Sequence, residues 1–196
     1  MIVIGQGRFR DCISFDLKRC GKKQKKYLTR SFLGFNMQFD STIYCRLLLG
    51  INDLNSFEYS IIKSLPHSMR NFIPENISLE DNYLKMDRSI DFDGTYSTVI
   101  SSYGSVDNKR FWEHIESLNQ CLISNNLWFL DIFNEGNNLL VYRKSEDEYI
   151  PIIIDFKRLG RKMYPFQLNL IFASEQKKKY LRRYQRFQNR FNPLNF

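Results

Sequence analysis

Residues 138–156 read NLLVYRKSEDEYIPIIIDF, so two apolar runs flank the polar segment KSEDE. Apolar runs of strand length around a short polar turn predict a β-hairpin. Cross-strand partners in an antiparallel pair have residue numbers with a constant sum, and pairing Asn138 with Asp155 centres the turn between Glu146 and Asp147. These two polar side chains should then lie side by side at the open end of the hairpin, about 5 Å apart.

A candidate metal site follows from this pairing. Asp131 lies seven residues before Asn138, on the segment that leads into the hairpin. Two carboxylates and one amide oxygen that converge there suit a hard cation such as Mg²⁺ that carries phosphates. We therefore predict Asn138 and Asp155 as metal ligands. The alternative is that Asp155 ends a strand and Asn138 caps a turn.

The composition is that of a folded chain without disulfides or zinc. The 196 residues suffice for one domain or two small lobes, and the aromatic fraction of 15% excludes a disordered chain. The longest apolar run is interrupted by Pro151 and Asp155, so no membrane span is expected. The four cysteines form no CxxC pair and there are two histidines, which favours free thiols in a reducing cytoplasm.

The net charge of +8 is unevenly distributed along the chain. Residues 1–46 carry ten Lys and Arg against three acids, and residues 157–196 carry eleven against one. The middle, 47–156, carries eight against seventeen. A protein that coats nucleic acid along its length is usually basic throughout. Nucleic acid is therefore a less favoured partner, although a nucleic-acid-binding module built on the basic termini remains an alternative.

Hydrophobic periodicity predicts three helices. Residues 39–49 can form a helix capped by Asp40 or Ser41 and stopped at Gly50. A second helix should begin near Asp107, because apolar residues recur at helical spacing at Phe111, Ile115, Leu118 and Leu122. Near the C-terminus, a narrow aromatic stripe is formed by Tyr180, Tyr184, Phe187 and Phe191. We expect this stripe to pack on the protein and the interleaved cations to face solvent; stacking on bases or contact with an anionic membrane are the alternatives.

The order of these features resembles that of protein-kinase-like phosphotransferases. A glycine turn comes first, then lysines, a helix, a strand, a second helix, an Asp loop and a hairpin that ends in Asp-Phe. The stretches IGQGRFRDC, RCGKK and IDFDGTYSTVI resemble the bacterial YrbL family (PhoP regulatory network protein YrbL), and so does the basic SEQKKKYLRRYQRF. This resemblance implies an α+β, protein-kinase-like two-lobed fold with a shortened C-terminal lobe. Residues 1–90 would form the N-terminal lobe with its linker strand, and 91–196 the C-terminal lobe.

The resemblance also implies residues for nucleotide binding. Gly5 and Gly7 match the first two glycines of the phosphate-covering loop, where Arg10 replaces the third. Lys22 would anchor phosphate, with Lys18 or Lys23 as alternatives for the same role.

Met86 and Arg88 fall on the linker that would run along the adenine. The acid that should pair with the lysine is not found on the following helix, and only Asp40 and Ser41 stand near the place.

The expected catalytic base is Asp131. Asn138 follows it by seven residues and Asn137 by six, whereas five is the spacing in kinases. The resemblance thus implies that ATP and Mg²⁺ bind in a cleft between two lobes, and it leaves open whether phosphate is transferred and to which substrate. A protein is the partner or substrate considered beside the nucleotide, and the free thiols place the chain in the cytoplasm. The altered spacing supports the alternative of a catalytically impaired, pseudokinase-like regulatory or scaffold protein.

Overall fold

The chain has a mixed α+β architecture with several antiparallel sheets. The computed structural model describes residues 1–7, 9–32, 35–156 and 172–195. Across these ranges, every helix is too short or too polar to cross a lipid bilayer.

The described part divides into two compact units that interrupt each other in sequence. The first unit comprises Met1–Lys63 and Glu75–Arg88, and the second comprises Ser64–Pro74 and Ser89–Phe196. The last change from one unit to the other thus falls between Arg88 and Ser89. Residues 64–74 belong to the second unit, although they lie between two segments of the first in sequence.

A five-stranded antiparallel sheet forms the centre of the first unit. Its strands in spatial order are β1 (Ile2–Gln6), β2 (Arg10–Ser14), β3 (Arg19–Gln24), β7 (Tyr83–Asp87) and β6 (Ser78–Glu80). The β2–β3 turn is held by Asp16, whose carboxylate accepts hydrogen bonds from the backbone of Lys18 and Arg19 at 2.7 Å each. These bonds favour the charged form and lower the pKa of Asp16.

Between β3 and β6 the chain forms a second hairpin and two helices. The hairpin pairs β4 (Tyr27–Phe32) with β5 (Phe35–Asp40), and α1 (Ser41–Leu49) follows directly. The helix predicted over residues 39–49 is confirmed over Ser41–Leu49, while Phe39 and Asp40 belong to β5. Asp40 caps the helix by accepting from the backbone of Thr42 and Ile43, and Gly50 ends α1 in a left-handed conformation. The next helix, α2 (Leu54–Ser64), contacts the sheet through Asn55 and Glu58. Its buried residues are Leu54, Asn55, Glu58, Ile61 and Ile62.

The second unit is built around α4 (Lys109–Ser124) and a three-stranded antiparallel sheet. The four apolar residues of the predicted stripe on α4 are fully buried, which confirms that helix. The sheet has the order β10 (Tyr149–Ile153), β9 (Leu139–Arg143) and β8 (Thr98–Val99), and the short α3 (Ile100–Tyr103) follows β8. A 3₁₀ helix, His67–Phe72, contacts both β10 and α4.

The predicted β9–β10 hairpin is present, but its register differs by one residue from the prediction. Tyr149 pairs with Arg143, and the ladder continues to Ile154, whose backbone N–H donates to the carbonyl of Asn138 at 3.1 Å. The turn sets this register, because the backbone N–H of Lys144 donates to the carbonyl of Glu148 and makes these two residues opposite. The prediction that Asn138 lies directly opposite Asp155 is therefore wrong.

The C-terminal helix α5 (Ala173–Phe191) packs on the second unit through its aromatic stripe, as predicted. All four rings are at most 8% exposed. The Tyr180 hydroxyl donates to Asn119 at 2.9 Å and the Tyr184 hydroxyl to Glu116 at 2.5 Å. Because these rings are buried among side chains of α4 and of the segment that follows it, they are not available to stack on bases.

Candidate functional site

Lys22 and Glu58 form a buried ion pair in the first unit. Strand β3 supplies the lysine and α2 supplies the glutamate, and Lys22 Nζ lies 2.7 Å from Glu58 Oε1. The side chains are 13% and 1% exposed. A charge-assisted hydrogen bond of this length, shielded from water, fixes the ammonium group in position.

Arg10 and Asn55 complete this charged cluster. Arg10 forms an ion pair with the second oxygen of Glu58 and donates to Asn55 Oδ1 at 2.9 Å. The Asn55 amide nitrogen donates to the backbone carbonyls of Lys22 and Asn82 at 2.9 and 2.7 Å. These bonds join α2 to the sheet. Arg10, Lys22 and Glu58 thus form one buried charged cluster where α2 meets the sheet.

Of the three lysines considered for phosphate, Lys22 is the one that contacts Glu58. Lys18 lies in the β2–β3 turn, which Asp16 holds closed. Lys23 follows Lys22 on β3 and so points to the opposite face of the sheet, where its Nζ lies 5.4 Å from the centre of the Tyr83 ring.

The predicted glycine turn joins β1 and β2. The Gly7 N–H donates to the carbonyl of Arg10 at 2.8 Å, and a Cβ on Gly7 would lie 2.8 Å from the same oxygen. A side chain at this position would therefore force the turn to open. Gly5 is less constrained, since a Cβ there would meet Cys12 at an ordinary 3.6 Å. Arg10, in place of a third glycine, is buried in the Glu58 cluster.

Met86 and Arg88 lie at the end of β7. Met86 is 6% exposed, pairs with Cys20 and faces the same side of the sheet as Lys22. Arg88 follows the strand; its N–H donates to the carbonyl of Lys18 at 2.7 Å, and its guanidinium donates to Ser14 Oγ at 3.3 Å. The five predicted nucleotide-binding residues thus all belong to the first unit, in strands of its sheet or directly beside them.

The acid that pairs with Lys22 is Glu58 on α2 and not a residue near the start of α1. Asp40 caps α1, and Ser41 donates to the carbonyl of Lys25 and accepts from Gln24. Glu58 was missed, although the sequence contains a signal for it. Leu54, Glu58 and Ile61 follow helical spacing, so the glutamate falls in an apolar stripe where a carboxylate needs a buried partner.

In the second unit, Asp131 and Asn138 belong to one loop that follows α4. The Asn138 side-chain N–H donates to the backbone carbonyl of Asp131 at 3.0 Å. Leu130 and Ile132, on either side of Asp131, are buried at 1% and 0% exposure, whereas the aspartate is only partly buried. The apolar neighbours thus anchor the loop and leave the Asp131 carboxylate partly accessible.

Asp155 follows β10 and lies next to the same loop. Ile154 bonds to the backbone of Asn138, and Phe156 packs edge-on against Phe129 with ring centres 5.6 Å apart. Asp155 therefore stands between two residues that contact the Asp131 loop. It is offset by one position from Asn138 rather than opposite to it.

The predicted metal ligands Asn138 and Asp155 lie at the open end of the β9–β10 hairpin. In the ranges covered by the structure, no three His, Cys, Asp or Glu side chains are grouped closely enough to hold a metal ion. The Asn138 amide nitrogen donates within the loop, so a cation would bind at its oxygen. Mg²⁺ commonly takes one or two protein oxygens and completes its coordination with phosphates and water. Asp155 and Asn138 would suit that role.

Arg183 of α5 contacts the Asp131 loop, contrary to the prediction that the cations of this helix face solvent. Its guanidinium donates to the carbonyl of Leu130 and lies 3.3 Å from Asp131 Oδ1. The reason is geometric, because Arg183 is three residues after Tyr180 and four before Phe187 and so shares the buried face of α5.

Comparison with models of known protein families gives no match for this chain, and comparison with curated proteins gives none either.

Proposed function

We propose that this protein is a kinase-like protein of the YrbL type, with a shortened C-terminal lobe, that binds ATP together with Mg²⁺. The observation that carries the proposal is the buried pair between Lys22 of a sheet strand and Glu58 of the helix packed on that sheet. In protein kinases a strand lysine held by a helix glutamate contacts the nucleotide phosphates. Here the pair adjoins a tight glycine turn at Gly7, as a phosphate-covering loop requires.

Each residue then has a definite task. Lys22 binds phosphate oxygens, the turn at Gly5 and Gly7 covers them, and Met86 and Arg88 lie along the base. In the second unit, Asp131 orients an attacking hydroxyl and accepts its proton. Asn138 and Asp155 hold Mg²⁺, which neutralises phosphate charge when it is bound.

Calorimetric titration with ATP, with and without Mg²⁺, tests the proposal. The full-length protein should bind ATP more tightly with Mg²⁺, and Lys22→Met should weaken binding tenfold or more. Lys23→Met is the matched control, because Lys23 follows directly but faces the other side of the sheet. Absence of ATP binding by the parent protein, or an equal loss in both variants, would contradict nucleotide binding at this cluster.

A catalytically impaired regulatory protein on the same fold is the second candidate. The observation that favours it is the contact of Arg183 with Asp131, which engages one oxygen of the expected base. Phosphotransfer or ATPase activity that is lost in Asp131→Ala, while ATP affinity persists, supports the enzyme. ATP binding without turnover in both the parent and Arg183→Gln supports the impaired protein.

A further inference from the structure

Two cysteines of the first unit lie on one face of the central sheet. The β2–β3 register places Cys12 opposite Lys22 and Ser14 opposite Cys20. Cys12 and Cys20 are therefore diagonal neighbours on adjacent strands and point to the same side.

The surroundings of this pair favour a thiolate at Cys12. The hydrogen bond from Cys20 is the largest influence and lowers the pKa of the Cys12 thiol to about 7, with further help from the positive charges of Lys22, Arg88 and Arg10 and against the effect of burial. The same contact raises the pKa of Cys20 and keeps that thiol protonated as the donor.

Access distinguishes Cys12 from Cys20 and Cys45, and the local environment distinguishes it from Cys121. Cys12 is partly exposed, whereas Cys20 and Cys45 are buried at 8% and 0% exposure. Burial also raises the pKa of Cys45 to about 11. Cys121 is partly exposed as well, but it belongs to α4 and its sulfur is hydrogen-bonded with the Ser68 hydroxyl at 3.0 Å.

We propose that Cys12 is a modification site for soft carbon electrophiles, that it reacts before the other three cysteines, and that the Cys20 thiol activates it. The thiolate, not the thiol, is the nucleophile. With iodoacetamide, the Cys12 sulfur attacks the methylene carbon, an S–C bond forms, the C–I bond breaks and iodide leaves. The thiol proton has already passed to solvent. This reactivity does not depend on the proposed nucleotide binding.

The test is the pH dependence of labelling in the folded full-length protein without nucleotide. Iodoacetamide is added between pH 5.5 and 9.5, and the rate at each cysteine is read by mass spectrometry of peptides. The rate at Cys12 should reach half of its maximum near pH 7, about 1.5 pH units below an ordinary thiol. A midpoint near pH 8.5, or faster labelling of Cys121 at pH 7, would overturn the proposal.

Variants at Cys20 test the activating contact. Cys20→Ala removes the donor and should raise the midpoint for Cys12 by about one pH unit, whereas Cys20→Ser keeps a donor and should retain most of the shift. Cys45→Ala, which changes a buried thiol elsewhere in the same unit, should leave the midpoint unchanged. If Cys20→Ala fails to fold, the contrast between Cys20→Ser and the parent decides. The role of Cys20 would be refuted if the Cys12 labelling midpoint did not change in Cys20→Ala. It would also be refuted if the midpoint in Cys20→Ser rose to that of an ordinary thiol.

Discussion

Replacing Glu58 by glutamine removes the negative charge that lies between Lys22 and Arg10. The substitution keeps the size of the side chain, so packing of α2 should change little. The carboxylate is 1% exposed and the two cations are 13% and 3% exposed, which places all three charges away from water. Two desolvated cations would then face a neutral amide.

Breaking a buried ion pair from one side typically costs about 3–5 kcal/mol of the free energy of unfolding. We expect Glu58→Gln to fall in this range, measured as the shift of the midpoint in urea unfolding of the full-length protein. Glu113→Gln is the control, because Glu113 pairs with Lys109 at 3.7 Å on the exposed face of α4. Exposed pairs contribute about 0–1 kcal/mol, so this variant should unfold almost as the parent does.

A double substitution then isolates the cause of the loss. Arg10→Met removes one of the two cations, so Arg10→Met with Glu58→Gln should cost less than the sum of the two single changes. A loss below about 1 kcal/mol in Glu58→Gln, or strict additivity in the double variant, would refute the view that this carboxylate holds α2 on the sheet through charge.

Three further predictions concern stability of the second unit. Phe187→Ala should lower the free energy of unfolding by about 3–5 kcal/mol, measured by thermal or urea unfolding, because the ring is 2% exposed. Arg186 is exposed, so Arg186→Glu should change that free energy little. Gly136→Ala should lower the free energy of unfolding by about 2 kcal/mol or more, because a Cβ would approach neighbouring side chains to 2.7 Å. Gly94→Ala is the control, since Gly94 also has a positive φ but lies in open space, and it should cost less. Equal losses in the two variants would contradict the steric explanation. Hydrogen bonds from Thr95, and from Arg143 more weakly, lower the pKa of Asp93 to about 2, so its ionised form stabilises the fold above pH 4 and this contribution is lost as the pH falls from 4 to 2. The difference in unfolding midpoint between the parent and Asp93→Asn should therefore shrink between pH 5 and pH 2, and a constant difference would contradict this assignment.

Helices with a strong apolar period could be predicted from the sequence, together with their ends. The four-residue stripe of α4 is fully buried, and both Asp40 and Gly50 act as the predicted caps of α1. The apolar spacing identified α4 and the capping residues identified α1, because both signals are local in the chain; Ile43 and Leu47 of α1 are themselves exposed.

Details that depend on contacts distant in sequence were predicted less well. The hairpin register is set by the hydrogen bond between Lys144 and Glu148 in the turn. The polar segment KSEDE is compatible with either of two registers that differ by one residue, so the sequence alone does not distinguish them. Glu58 is 36 residues from Lys22, with a hairpin and a helix between them. Its position in an apolar stripe indicated a buried partner but could not identify which cation that partner is.

Ser64–Pro74 belongs to the second unit but interrupts the first in sequence, and this has a consequence for synthesis on the ribosome. The first unit is complete only when β6 and β7 have emerged, because β7 pairs with β3. Residues 64–74 emerge before these strands, yet the 3₁₀ helix within them, with Met69 fully buried, contacts α4 and β10, which are made much later. This early segment must wait for nearly the whole chain. A cut between Arg88 and Ser89 would therefore separate residues 64–74 from the rest of the second unit. The N-terminal half would hold the first unit together with this foreign segment, and the C-terminal half would lack part of its core.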